Sequence, residues 1–233
     1  AITPNILAKF LNFCSKYVFI LSLILSSIAA ILIILLENDY YQGISFKIMF
    51  VHVPTAWLSL LIFFTMGVSS IIGLVFKSPT SFTISRALSP IGLIMSIIVL
   101  ITGSIWGNLT WGTYWVWDAR LTSMLILAFI YLGHILLLNS FDHFQKSDFA
   151  ASILAIIGLV NLPIVKFSVD WWTTLHQGAS VFKVGGPSMT NDYLITLLLC
   201  FAALFSLCFY WFSNIFYIIT ENRRIERIKL LNQ

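Results

Sequence analysis

Residues 17–36 read YVFILSLILSSIAAILIILL, twenty positions without a charged side chain. A bilayer-crossing helix needs about 20 predominantly apolar residues, and this stretch supplies them. Five further segments do the same, at roughly 57–76, 87–106, 121–139, 150–169 and 193–219. Together they take more than half of the chain, so the connections are short and residues 1–233 read as a single six-span membrane domain. The first span resembles a signal peptide in two respects, since Lys9 and Lys16 precede it and Ala29-Ala30 is a small-residue pair. The apolar run nevertheless continues to Leu36, beyond a signal core, and is read as an anchor.

Working outward, the composition agrees. Of 233 residues, 59% are hydrophobic and 9% charged, with a mean hydropathy of +0.96. A soluble domain is about one quarter charged, so both a soluble globular chain and a disordered one are excluded. The net charge of +4 is a small excess whose meaning lies in its position; nothing in it points to nucleic acid. Lys9, Lys16, Lys77, Arg86, Lys146, Arg223, Arg224, Arg227 and Lys229 fall on one side of the spans. Lys47, Arg120 and Lys183 fall on the other, with Lys166 near an outer span end where it can snorkel. The basic side faces the cytoplasm. The expected fold is an all-α integral membrane protein, six transmembrane helices, N-in and C-in, with connections 37–56, 107–120 and 170–192 outside. Pro90 and Pro163 are expected only to kink their spans, and the tail from Glu221 to Gln233 to form a short basic helix along the inner surface. Cys14, Cys200 and Cys208 form neither CxxC nor CxxCH, which leaves redox pairing and covalent c-type haem attachment unsupported.

Six of the eight tryptophans are Trp106, Trp111, Trp115, Trp117, Trp171 and Trp172, all on the outer side. Interfacial belts occupy both faces of a bilayer, so this one-sidedness needs a second cause. The densest stretch lies at about 106–122. If it is helical, Trp111, Trp115 and Asp118 share one face at i, i+4 and i+7, an aromatic shelf suited to a flat apolar ligand. His52, within VHVPTAW, and His176, within WWTTLHQG, flank that shelf. Either alone reads as an interface histidine. As a pair they suit the two axial positions of a metalloporphyrin. His134 and His143 lie toward the inner side and are read as structural. Haem propionates need cations, for which Arg120 is suited by its planar fork, with Lys47 and Lys183 as weaker choices; Arg120 has an equal alternative in pairing with Asp118.

The run from Trp111 to Thr122, WGTYWVWDARLT, resembles the tryptophan-rich WWD signature of the haem-handling proteins of cytochrome c maturation. VHVPTAW and WWTTLHQG resemble the histidine-bearing flanks of the small six-span branch of that family, CcmC. Tyr114 stands where the family often has tryptophan, and Lys47 where relatives carry arginine. The resemblance implies haem b held non-covalently at the outer face between His52 and His176. It implies presentation by the tryptophan segment (Trp106, Trp111, Trp115, Trp117 and Asp118) to a periplasmic haem chaperone, CcmE. It also implies a single-span partner, CcmD, an ABC transporter pair, CcmA and CcmB, and a bacterial inner membrane or a mitochondrial one. The chain would then carry haem and not catalyse its attachment.

The rival readings are weaker. A haem-b subunit of a respiratory complex needs haems at more than one depth, and one outward histidine pair is available. A secondary transporter carries repeats or midplane ionisable residues, which these spans lack. A purely structural subunit explains the spans but not the outward cluster.

Overall fold

A computed structural model describes residues 4–178, 180–181, 183 and 185–231. Seven helices build it: α1 (Pro4–Leu35), α2 (Met49–Phe76), α3 (Pro79–Trp111), α4 (Ala119–Asn139), α5 (Phe144–Gly158), α6 (Asn161–Trp171) and α7 (Asn191–Leu231). A 3-10 turn, Ile44–Ile48, leads into α2. With that turn joined to α2 and with α5 joined to α6, six helical units are long and apolar enough to cross a bilayer. No strand is present among the described residues. The all-helical, multi-pass reading holds.

Local chemistry sets the boundaries. Lys77 turns left-handed at φ 50° to end α2. Ser78 then caps α3, its hydroxyl accepting from the Ser81 N–H, with Pro79 at the first helical position. Gly112 ends α3 at φ 76°, a conformation that carries no steric cost only for glycine.

Three expectations change. The fifth span is broken, not merely bent: at Leu159 and Val160 the hydrogen bonds tighten to the i−3 carbonyls Ile156 and Ile157. Pro163 has no N–H for the Leu159 carbonyl, so the α-ladder cannot continue there. Asn161 fills the break by donating to the Ser123 carbonyl at 2.9 Å. The basic tail is not a separate surface helix, because α7 runs unbroken to Leu231 with no glycine or proline to stop it; residues 232–233 lie outside the described residues. The aromatic shelf is not helical, as described below.

The helices pair as α1 with α7, α2 with α3, and α4 with α5, and α2, α3 and α4 enclose the main core. Phe63, Met66, Met95, Leu127 and Tyr131 are at most 1% exposed there. Serine hydroxyls stitch the same helices, Ser59 to Ser96 at 2.7 Å and Ser70 to Ser85 at 3.0 Å, as polar contacts between membrane helices do. Away from the tryptophan-rich end, Asp148 of α5 takes Arg86 of α3 at 2.9 Å and Arg223 of α7 at 2.7 Å. Both guanidiniums lie over the Phe144 ring, 4.6 and 4.4 Å from its centre. This cluster locks three helices together at one end and leaves the opposite end to open.

Candidate functional site

At that opposite end the helices part into a wedge with about 820 Å³ of empty space, some of it open to the surroundings. His52, Trp115, Arg120, Lys166 and His176 reach into it, over walls of Val53, Ala56, Trp57, Leu60, Leu100 and Met124. Two imidazoles and two cations therefore stand in one apolar cleft.

His52 is carried by the first turn of α2. Its Nδ1 lies 3.0 Å from the Thr102 hydroxyl of α3. That hydroxyl spends its own proton on the Ile98 carbonyl at 2.7 Å, so it accepts, and Nδ1 is the nitrogen that carries the hydrogen. Nε2 is left with its lone pair, the arrangement that metal-ligating histidines need. Gly103 makes room for the ring: a Cβ there would stand 2.9 Å from His52 Cε1. Trp106 holds the ring edge-on at 5.7 Å and is itself fixed by donating to Gln42 at 2.9 Å.

His176 comes from the extended segment after α6. Residues 113–118 are not helical, because Gly112 ends α3 and Asp118 starts α4 as its N-cap, accepting from the Leu121 N–H at 2.8 Å. The i, i+4, i+7 face of Trp111, Trp115 and Asp118 therefore does not form. The chain instead reaches a similar juxtaposition by folding back. The second Asp118 oxygen accepts from the Thr174 hydroxyl, and Thr174 in turn accepts from the His176 N–H at 3.1 Å. The Trp111 ring meets the His176 ring at 4.9 Å. His176 Nδ1 has no hydrogen-bond partner and lies 4.0 Å from Asp118 Oδ2. Burial, with a smaller contribution from Arg120 and against the opposing pull of Asp118, lowers the His176 pKa to about 4. The imidazole is neutral at physiological pH, as a ligand must be.

The remaining residues divide. Trp115 lines the cleft and its indole N–H is buried without an acceptor; a buried donor left this way costs energy until something accepts from it. Trp117 packs on Trp115 at 5.4 Å but is 78% exposed, at the rim. Arg120 faces the cleft and, among the described residues, has no carboxylate within ion-pair distance; Asp118 is spent on Leu121 and Thr174. Lys47 donates to the Ile34 carbonyl at 3.4 Å, at the end of α1, and does not line the cleft. Sequence reasoning passed over Thr102, Gly103 and Thr174, and treated Lys166 as a snorkelling side chain. Periodicity alone carries no signal for the first three, since each matters only through a partner distant in sequence or held by a turn. His134 is sealed in the core with Ser89 at 3.0 Å and Ser85 at 3.3 Å, away from the wedge.

The donor set suits a metalloporphyrin. No three His, Cys, Asp or Glu side chains converge as a metal site among the described residues. Two imidazoles are a short set for a bare ion but would suffice for an iron whose other four ligands were porphyrin nitrogens. The apolar walls, the two cations and the orphaned indole N–H match the macrocycle and its carboxylates.

The family model described as heme exporter protein C, CcmC, matches residues 2–229. The chain is 48% identical to the heme exporter protein C of Bradyrhizobium diazoefficiens over 175 residues, 75% of this chain and 66% of that protein. It is 45% identical over 188 residues, 81% of this chain and 77% of the relative, to a "cytochrome c biosynthesis ccmC-like mitochondrial protein" of Marchantia polymorpha. With the heme exporter protein C of Escherichia coli K12 it shares 49% identity over 142 residues, 61% of this chain and 58% of that protein. The matched stretches thus span just under two thirds of the Bradyrhizobium protein and less of the Escherichia one.

Proposed function

The chain belongs to the heme exporter protein C family, and on that premise we propose that it binds haem b and delivers it in cytochrome c maturation. The observation that carries this reading is the wedge in which His52 and His176 face one apolar space, each with its Nδ1 engaged with, or directed at, an oxygen of a neighbouring residue.

Each residue has a part in this reading. Thr102 holds the His52 tautomer and Gly103 leaves space for its ring. Asp118 orients His176 and ties its segment to α4. Arg120 and the Trp115 N–H receive carboxylate oxygens, and Trp106 and Trp111 brace the two imidazoles. When bound, the haem supplies the iron centre and the cargo itself. The two ligands are unequal in support: His52 stands on a membrane helix, whereas His176 hangs on a segment held through Thr174. A ligand on such a segment is the easier one to withdraw, which suits a carrier that must release its load. Exposed Trp117 and Tyr114 at the rim offer an aromatic surface to a haem chaperone of the CcmE type.

The remaining assembly partners, CcmD, CcmA and CcmB, follow from the family. Nine basic residues on the face away from the wedge support a haem site on the outer, periplasmic side, and the heme exporter relatives support a bacterial inner membrane, with the mitochondrial-type relative allowing the corresponding organelle membrane. Covalent attachment belongs to the partners, so the chain is a carrier and not an enzyme. A respiratory haem-b role gains no support from His134, which is buried with two serines.

The test is complementation of a bacterium that lacks its own family member. Holocytochrome c and chaperone-bound haem should return with this chain and fail with His52→Ala or His176→Ala at equal membrane abundance. Full return with both histidines replaced would overturn the proposal.

A further inference from the structure

We propose that Lys166 is a second carboxylate-binding cation of the wedge and that, together with Arg120, it makes the site selective for a tetrapyrrole bearing two carboxylates. This deepens the haem reading and rests on it.

The lining of the wedge contains two permanent cations, Arg120 from α4 and Lys166 from α6, and no carboxylate. Lys166 lies five residues before Trp171, the last residue of its helix. At 1.5 Å per residue that is about 7.5 Å inside the helix end. Lys166 is exposed, and among the described residues no carboxylate lies within ion-pair distance of it. Asp170 follows at i+4, but lysine preceding the acid is the weaker order for a helix pair, and the two are not bonded. Outward snorkelling would give Lys166 a purely anchoring role, yet its side chain borders the same space as both histidines. Lys47, the other candidate, is occupied at the end of α1. Asp118 and Asp170 act on Arg120 from outside the lining, which itself holds no carboxylate, so a ligand's carboxylates are the partners that the lining leaves room for. The ligand's form follows from the surroundings, two cations on neighbouring helices beside an apolar wall, which suits a flat apolar body with two acidic arms.

The test uses the full chain in detergent, titrated with ferric haem and separately with haem dimethyl ester, in which both carboxylates are masked. The wild type should prefer the diacid. Lys166→Met keeps the length of the side chain and removes the charge; it should weaken diacid binding about tenfold, the lower end of what a hydrogen bond to a charged group contributes, and leave the diester unchanged. Lys166→Arg should restore the preference, and Lys183→Met, a change outside the wedge, should not alter it. Equal weakening of both ligands, or of neither, in Lys166→Met would overturn the proposal while leaving the haem reading intact. Failure of the wild type to bind either ligand with a six-coordinate spectrum would overturn both.

Discussion

Replacing Gly103 with alanine tests how His52 is seated. The added Cβ would stand 2.9 Å from Cε1 and 3.5 Å from Nδ1 of His52, where ordinary contact begins at 3.4 Å. The ring must retreat by about half an ångström to restore van der Waals separation. Its bond to Thr102 now measures 3.0 Å, and the same displacement carries it to about 3.5 Å, where a hydrogen bond is nearly lost. The ring ends a short side chain and rotates readily, so the helices need not move. Loss of an outer-shell partner lowers metal affinity by about 10- to 100-fold. Titration with haem, followed by absorption, should show Gly103→Ala weakened in that range, with part of the low-spin spectrum converted to high-spin. Thermal unfolding of the haem-free protein should change little. Thr102→Val, which removes the acceptor without crowding the ring, should fall in the same range. Unchanged affinity and an intact low-spin spectrum in Gly103→Ala would refute the reasoning.

Further outcomes follow from other parts of the molecule. Because the His176 pKa is lowered from 6.5 to about 4, the folded protein keeps this imidazole neutral while the unfolded chain takes up a proton near 6.5. Stability from this residue is therefore complete above 6.5 and declines as the pH falls toward about 4, whereas ligation in the folded chain is lost only as the pH nears about 4; haem retention should be flat from pH 8 to about 5, fall toward pH 4, and show less of this pH dependence in His176→Ala. Asp148→Ala leaves Arg86 and Arg223 without their partner and should cost about 3–5 kcal/mol by the usual penalty for a broken buried ion pair, read as a lower denaturation midpoint with no selective effect on the haem spectrum. His134→Ala opens a space between Ser85 and Ser89 and should destabilise the chain by about 1–3 kcal/mol, while haem affinity measured in the folded variant stays at the wild-type value.

The spans were legible because hydropathy over twenty residues is a local property, as in 17–36. That His52 and His176 share one end of the bundle was legible because both residues sit near tryptophans on one side of the membrane pattern. The conformation of 112–118 was not. Helical periodicity placed Trp111 with Trp115 and Asp118, but Gly112 and the capping carboxylate of Asp118 impose a turn that periodicity does not register. Pro163 was visible as a kink; that it breaks the span depends on Asn161 finding the Ser123 carbonyl, 38 residues away. The Arg86–Asp148–Arg223 cluster was hidden for the same reason, since its members are 62 and 75 residues apart. Lys166 was seen only as a charge near a span end, and its place in the wedge emerges when α4 and α6 are packed side by side.

The most direct test of the account is the absorption spectrum of the purified protein reconstituted with haem, oxidised and reduced, beside His52→Ala, His176→Ala and the double variant. The account predicts a six-coordinate low-spin haem-b spectrum in the wild type, high-spin character in each single variant, and little bound haem in the double. A low-spin spectrum that survives in the double variant would contradict it.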